Sequence, residues 1–414
     1  IFGIVCVLAW DLGGVLLDGG FVLLQWEVIV MIVFMVFYCV LLPFSNSYIM
    51  AEQHVLMMSI SVICMVLSYR RMSIIMTEEW FKKKFDENKM TLPSQYALLL
   101  RKEARSVLTP MLLPICSRLH ELLITGHGMD ASLHLHKAHH PLVFISSLLV
   151  LGYMRSQHAN PKEQGISLIN HQSHLLALAC LGHSWWEKQT SDPERNGHYS
   201  CLLAIAIPLF GIIFVTTRRI SSRLDKLDDR KWNQPSTDIA LFYSMLILVM
   251  AVTGPSAAPS ALLFLIQMQA MRGMIQWTGP YKMSPAIIAA LFHLTTRHAF
   301  FSTNHACAFN RLQYSAAFVI SNTFHFATAG CFLFCNTFGW EVLGGGMTMT
   351  TTTESDVVWR WYLVFQELQM VGAVFAVTLM RRHLMVWAIF APKFVFECVF
   401  WVLRVGFFCI KTLL

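Results

Sequence analysis

Charge is scarce in this chain. Asp, Glu, Lys and Arg make up 13% of its 414 residues, against about 25% in a soluble domain. Hydrophobic residues reach 56% and the mean hydropathy is +0.54. One buried core cannot absorb that much apolar surface, so a soluble globular fold is excluded. Alternating apolar and polar runs are also missing, which excludes a β-barrel. The sequence has no Cys-x-x-Cys, and its 11 cysteines are scattered, mostly inside apolar runs. They read as small apolar residues; Cys331 and Cys335 share a helix face but face no second pair. There is no Asn-x-Ser/Thr sequon, no Gly-x-Ser-x-Gly, no phosphate loop and no His-Glu-x-x-His. The first residue, Ile1, already lies in an apolar run, with neither an initiator Met nor a signal-peptide layout. We therefore expect a further N-terminal part.

What remains is a series of continuous apolar runs separated by short polar stretches. Spans are predicted over 19–43, from 52 to about 69, and over 106–125, 141–154, 166–186, 198–216, 239–254, 260–276, 284–301, 315–339, 359–380 and 384–411, with 1–17 as the end of another. Pro110 and Pro114 should kink the 106–125 helix. At about 20 residues per crossing, the fold is an all-α, polytopic transmembrane helical bundle of roughly ten to twelve helices. The whole chain, 1–414, reads as one membrane domain. The net charge of +7 comes mostly from two basic loops, 70–105 and 217–238, which the positive-inside tendency places in the cytosol rather than on nucleic acid. Strict alternation from the second loop then puts Arg381-Arg382 on the far side, against the charge rule. A short 239–254 span, or an incomplete 260–276 span with Gln267, Gln269 and Arg272, would repair this. Gly344-Gly345-Gly346 and the threonines up to Thr353 read as a flexible loop.

Ionisable groups inside apolar runs face protein, water or headgroups, because charge is costly in hydrocarbon. Glu27, Arg118, Glu121, Arg272, Glu367 and Glu397 are the candidates for buried charge, which lines a cavity or pairs across helices. Glu367 lies between Gln366 and Gln369, which gives its helix one polar face. In Arg297-His298-Ala299-Phe300-Phe301-Ser302-Thr303-Asn304-His305 an apolar helix end meets a polar turn. His298 and His305 can donate hydrogen bonds to a phosphate or glycan, and Arg297 can grip phosphate with its forked guanidinium. The bland alternative is a solvated turn at the membrane surface. Near the end, Trp387, Lys393 and Glu397 interrupt an apolar run that Arg381, Arg382 and His383 precede. A plain final helix with a basic anchor and a proline kink at Pro392 would carry several of these features too. His127, Asp130, His134, His136, His139 and His140 are close in sequence, and His171 and His174 share a helix face. Zinc needs about four ligands, and neither group offers a matching second half or a nearby Cys, so the first group reads as a solvated loop and no metal site is assigned to either.

Four stretches also carry a resemblance. Arg381-Arg382-His383-Leu384-Met385-Val386-Trp387 with Phe390-Ala391-Pro392-Lys393-Phe394-Val395-Phe396-Glu397 resembles the C-terminal signature of the GPI ethanolamine phosphate transferases. Phe44-Ser45-Asn46-Ser47-Tyr48 followed by Ala51-Glu52 is similar to a short turn between two early spans of that family. Phe301 to Thr303, His305, Phe309, Tyr314 and Ala316 to Val319 match a third phrase in register, and Asn336-Thr337-Phe338 a fourth. Asn304, Tyr314 and Ser315 depart from the third phrase, where Gly, Trp and His are usual. The form of the signature points to the type 3 branch, phosphatidylinositol-glycan class O; type 2 usually has Ser where Ala391 stands.

The resemblance implies an endoplasmic reticulum membrane protein of GPI-anchor biosynthesis. Its reaction moves phosphoethanolamine from phosphatidylethanolamine to a mannose of the GPI precursor, the third mannose for type 3. It implies a threonine nucleophile and zinc in an N-terminal lumenal domain, whose Asp/His set is not found here, and a small multi-spanning partner, phosphatidylinositol-glycan class F. It assigns no catalytic residue to this chain. Arg297, His298, His305, Trp387 and Lys393 become the substrate-binding candidates. Two other readings stay open. A transporter would show inverted repeats with matching broken helices, and a scaffold would need no site.

Overall fold

The computed structural model describes residues 52–75, 104, 106–125, 174–183, 202–213, 235–254, 258–277, 282–303, 314–318, 325–351, 355–379 and 384–413. The spans expected at 1–17, 19–43 and 141–154, the His-rich stretch and most of both basic loops lie outside them. The α-helices among the described residues are α1 (Glu52–Ile75), α2 (Leu112–Thr125), α3 (His174–His183), α4 (Leu202–Ile213), α5 (Pro235–Thr253), α6 (Ala258–Ile275), α7 (Pro285–Ser302), α8 (Phe326–Thr351), α9 (Ser355–Leu379) and α10 (Leu384–Leu413). Short 3-10 helices occupy Thr109–Met111 and Tyr314–Phe318. No strand occurs among the described residues, as the continuous apolar runs require.

Local chemistry sets the helix ends. Pro235 and Pro285 open α5 and α7, where a missing N–H costs nothing. Ser284 Oγ accepts from Ile287 N at 3.4 Å, an N-cap contact. Gly254 closes α5 at φ +84, and its N–H donates to Met250 O at 3.0 Å. That left-handed cap is the conformation glycine adopts without steric cost. Thr295 and Thr296 fold their hydroxyls back onto Leu291 O and Phe292 O at 2.7 and 2.8 Å, which hides them inside α7.

Several expectations need correction. Pro110 sits in the 3-10 turn Thr109–Met111 and Pro114 in the first turn of α2, so the helix tightens there and restarts at Leu112. Arg70 and Arg71 belong to α1, not to a loop. The expected 315–339 span is replaced by the 3-10 turn at Tyr314–Phe318 and by α8. Gly344, Gly345 and Gly346 lie within α8 rather than in a loop, and Gly344 and Gly345 are buried. Glycine weakens an exposed helix, but a buried backbone without water must bond to itself, and small residues let neighbours close in.

The chain forms two compact units. The first takes in the described residues up to Leu119, Phe264–His298 and those from 355 to Cys409. The second takes in His120–Leu263 and Ala299–Thr350, as far as they are described. The first is centred on Phe264, Phe292, Tyr362, Phe365 and Phe396; the second on Val249, Phe338 and Trp340. Within α1, Glu52–Ser73 is both long and apolar enough to cross a membrane, the one such helix among the described residues.

Candidate functional site

In the first unit, α10 carries a polar stripe at helical spacing: Lys393, Glu397, Trp401 and Arg404. Steps of four, four and three residues keep them on one face. The first three meet three different elements. Lys393 pairs with Glu52 at the start of α1. Glu397 Oε1 accepts from Arg297 Nη2 of α7 in a buried ion pair. Trp401 Nε1 donates to Glu367 Oε1 of α9 at 3.2 Å. Arg404 Nη1 lies 3.8 Å from Glu397 Oε2, with its guanidinium over the Phe400 ring at 5.6 Å. The helix runs through Pro392 without ending.

A second row connects α7 to α9. Gln366 Nε2 donates to His293 Nδ1 at 2.7 Å. The His293 ring meets Tyr362 edge-on at 5.7 Å, and Phe292 tilts against Tyr362 at 4.6 Å. His293, Gln366, Glu367 and Arg404 are at most 1% exposed. Charge in an apolar interior persists only with a partner, and Glu397 supplies one to two arginines.

The same contacts give a scale of depth. Arg71 stacks over Trp277 at 5.1 Å, and its Nε donates to Ser106 Oγ at 2.8 Å. Ser68 Oγ donates to Val107 O at 2.9 Å. Glu52 lies at the other end of α1, about 28 Å away at 1.5 Å per residue. That matches a hydrocarbon layer of about 30 Å. Arg71 on Trp277 and the Lys393–Glu52 pair thus mark opposite ends of α1.

The family model for the GPI ethanolamine phosphate transferase membrane region matches residues 195–411, just over half of the chain. The chain belongs to this family. A relative, GPI ethanolamine phosphate transferase 3 of Eremothecium gossypii, is 32% identical over 120 residues. That match covers 25% of this chain and 12% of the relative. No solved structure matches. Arg297, Glu367, Glu397 and Arg404 all fall within the family region; Glu52 lies outside it.

The transferase signature supplies two of the four stripe residues, Lys393 and Glu397, and the early turn supplies Glu52. Of the substrate-binding candidates, Arg297 and His298 are not on a solvated turn. Both lie inside α7, 2% and 1% exposed, and Arg297 is engaged by Glu397. Trp387 falls in the first turn of α10. Lys393 keeps 16% side-chain exposure. His305 lies outside the described residues, as do Glu27 and His171. Arg118, expected to be buried, is exposed on α2, because its side of the helix faces outward beside Ile115 and Leu119. Arg272 is half-buried in the last turn of α6. Gln267, a reason to doubt a full crossing, donates to Leu113 O at 3.0 Å and to Ser117 Oγ at 2.9 Å, so its polarity is used inside the unit. Arg404 was not singled out in the sequence, although its spacing from Glu397 and Trp401 could have exposed it.

Among the described residues, no three of His, Cys, Asp and Glu converge to hold a metal ion. His174, which shares a face with His171 in the sequence, instead bonds Ser244 Oγ through Nε2 at 2.8 Å.

Proposed function

We propose that this chain is the membrane region of the enzyme that transfers phosphoethanolamine from phosphatidylethanolamine to the third mannose of the GPI precursor. The family match over 195–411 carries the transferase reading. The type 3 assignment is supported by Ala391 in the signature and by the name of the fungal relative. In this reading the chain crosses the endoplasmic reticulum membrane roughly ten to twelve times and associates with phosphatidylinositol-glycan class F. The threonine nucleophile and the zinc belong to a lumenal domain, and no residue of this chain is given a catalytic role.

The chain's own task is placement. Arg297, His298, His305, Trp387 and Lys393 border the region that receives the lipid heads. Arg297 acts by fixing α7 through Glu397, while Lys393 stays partly exposed beside Glu52. Holding two reactants in register is worth several kcal/mol of barrier, on the order of a well-oriented intramolecular step.

The test is complementation with the whole gene product in cells lacking the type 3 enzyme. Mass spectrometry of GPI lipids should show the third-mannose phosphoethanolamine restored and GPI-anchored proteins returned to the surface. Restoration only in cells lacking type 2 would move the assignment to that branch. Failure in both would remove the transferase reading.

A further inference from the structure

Two outward helix faces in the first unit differ by one charge. On α1 the exposed side carries Met58, Val62 and Met65, at spacings of four and three. On α2 it carries Leu112, Ile115 and Leu119, at spacings of three and four, and Leu108 leads into them before the 3-10 turn. Leu113, Cys116 and Ser117 form the covered side of α2. Both outward faces are apolar, but Arg118 stands exposed in the second. A neighbour gives its depth. Gln267 Nε2 donates to Ser117 Oγ at 2.9 Å and to Leu113 O at 3.0 Å, and Gln267 stands midway along α6, nine residues from Ala258 and eight from Ile275. Arg118 is thus level with the middle of an apolar helix, about 12 Å from either end at about 1.5 Å per residue.

We propose that this face of α2 docks a membrane-spanning helix of a second polypeptide, and that this helix carries a carboxylate opposite Arg118. Leu108, Leu112, Ile115 and Leu119 form the apolar seam, and Arg118 fixes its register. The inference rests on the chain being a membrane region and not on the transfer chemistry.

Charge chooses the occupant. Lipid chains satisfy the α1 stripe but not a guanidinium, which keeps its charge in any protein setting. Arginine reaches headgroups from near a helix end; from the middle of one it has to be met by protein or water. Even with Glu121 one turn further along the chain, hydrocarbon covers a polar patch turned outward at that depth only at high cost. A carboxylate meets the guanidinium in a fork of two hydrogen bonds, and the pair is strongest where water is excluded. Spacings of four and three repeat every seven residues, the period at which two helices keep one seam in contact, and a polar residue at such a seam sets register. A helix without an acid would strand Arg118, and one with a cation at that level would repel it.

The experiment uses the whole gene product, expressed at its native level in cells lacking their own copy. Photoreactive benzoylphenylalanine replaces Ile115 in one variant and Met65 in another, and the adducts are mapped by mass spectrometry. Met65 serves as the reference for a face without charge. The probe at Ile115 should label one spanning helix of a second polypeptide, with an Asp or Glu inside its apolar run. Lipid alone at Ile115, another segment of this same chain, or a helix without an acid would overturn the proposal.

Charge reversal then tests the pairing. Arg118→Glu should lower the Ile115 adduct at least about tenfold, and Arg118→Lys should keep most of it. A lysine in place of the labelled helix's carboxylate should restore the adduct to Arg118→Glu. An adduct that Arg118→Glu leaves unchanged would sink the idea. Because Arg118 faces outward, Arg118→Leu should leave the thermal midpoint of the chain alone in detergent unchanged or higher, which separates lost docking from misfolding. Where Arg118→Glu does not accumulate, Arg118→Leu takes its place and must lower the adduct too. Complementation without the adduct removes the docking face and keeps the transferase reading; the adduct without complementation does the reverse.

Discussion

The two units handle buried polarity differently. Among the described residues, the first buries Arg71, Arg297, Glu367, Glu397 and Arg404, while the second buries one ionisable acid or base other than histidine, Glu341. The second relies on neutral pairs. His174 Nε2 meets Ser244 Oγ at 2.8 Å. His120 Nδ1 meets Ser302 Oγ at 3.0 Å, and because Ser302 gives its proton to Ala299 O at 2.7 Å, the histidine donates. Neutral pairs need modest desolvation and return modest stability. Buried ion pairs gain little over a well-packed apolar core, yet losing one member is expensive. The first unit's charges therefore point to placement of helices rather than to raw stability, and they coincide with the residues of the transferase signature.

The sharpest way to break that contrast is to remove the shared carboxylate. Glu397→Ala leaves Arg297 and Arg404 facing each other's charge without it. A loss of about 3–5 kcal/mol is expected, enough to stop the protein accumulating as a monodisperse species in detergent size exclusion. Replacing Arg297, Glu397 and Arg404 together with Met, Leu and Met should recover most of the stability but not the transfer, because the arginine no longer fixes α7. Recovery of both would mean the pair has no role beyond packing.

Legibility in the sequence follows the same division. Intramembrane carboxylates announce themselves, so Glu367 and Glu397 were visible, and the Gln366/Gln369 flanks gave the polar face of α9. Partners were not visible, since Arg297 and Glu397 are a hundred residues apart and only packing joins them. Arg118 misled because charge inside an apolar run does not say which side of the helix is covered. The glycine triplet misled because glycine reads as a loop in water, while in a packed apolar setting the backbone remains helical and the missing side chains become a contact surface. The helix positions were the most legible part: 239–254, 260–276, 284–301 and 359–380 fall within a few residues of α5, α6, α7 and α9.

The second unit has its own close approach, which offers a steric counterpart to the charge test. A Cβ at Gly339 would come 2.5 Å from Val249 Cγ2, nearer than real Cβ atoms tolerate. Gly339→Ala should cost about 1–3 kcal/mol through overpacking. Val249→Ala in the same chain should relieve most of it, read as partial recovery of the thermal midpoint. If Gly339→Ala alone leaves the midpoint unchanged, the approach of α8 to α5 is looser than described.

The neutral pair is expected to respond on a similar scale. Ser244→Ala leaves His174 Nε2 without that hydroxyl, at about 1–3 kcal/mol for a buried group whose partner is removed. Changing both residues to apolar ones, His174→Phe with Ser244→Ala, should cost less than Ser244→Ala alone, because no polar atom is left stranded there. Glu397 is predicted to behave in the same sense but with a larger amplitude, since charge raises the cost of stranding. Midpoints for the two series, measured in one detergent, would show whether the ranking holds. Equal losses for Ser244→Ala and Glu397→Ala would mean that water reaches the Glu397 stripe, and the dry pair would then have to be reread as part of an open, lipid-accessible site.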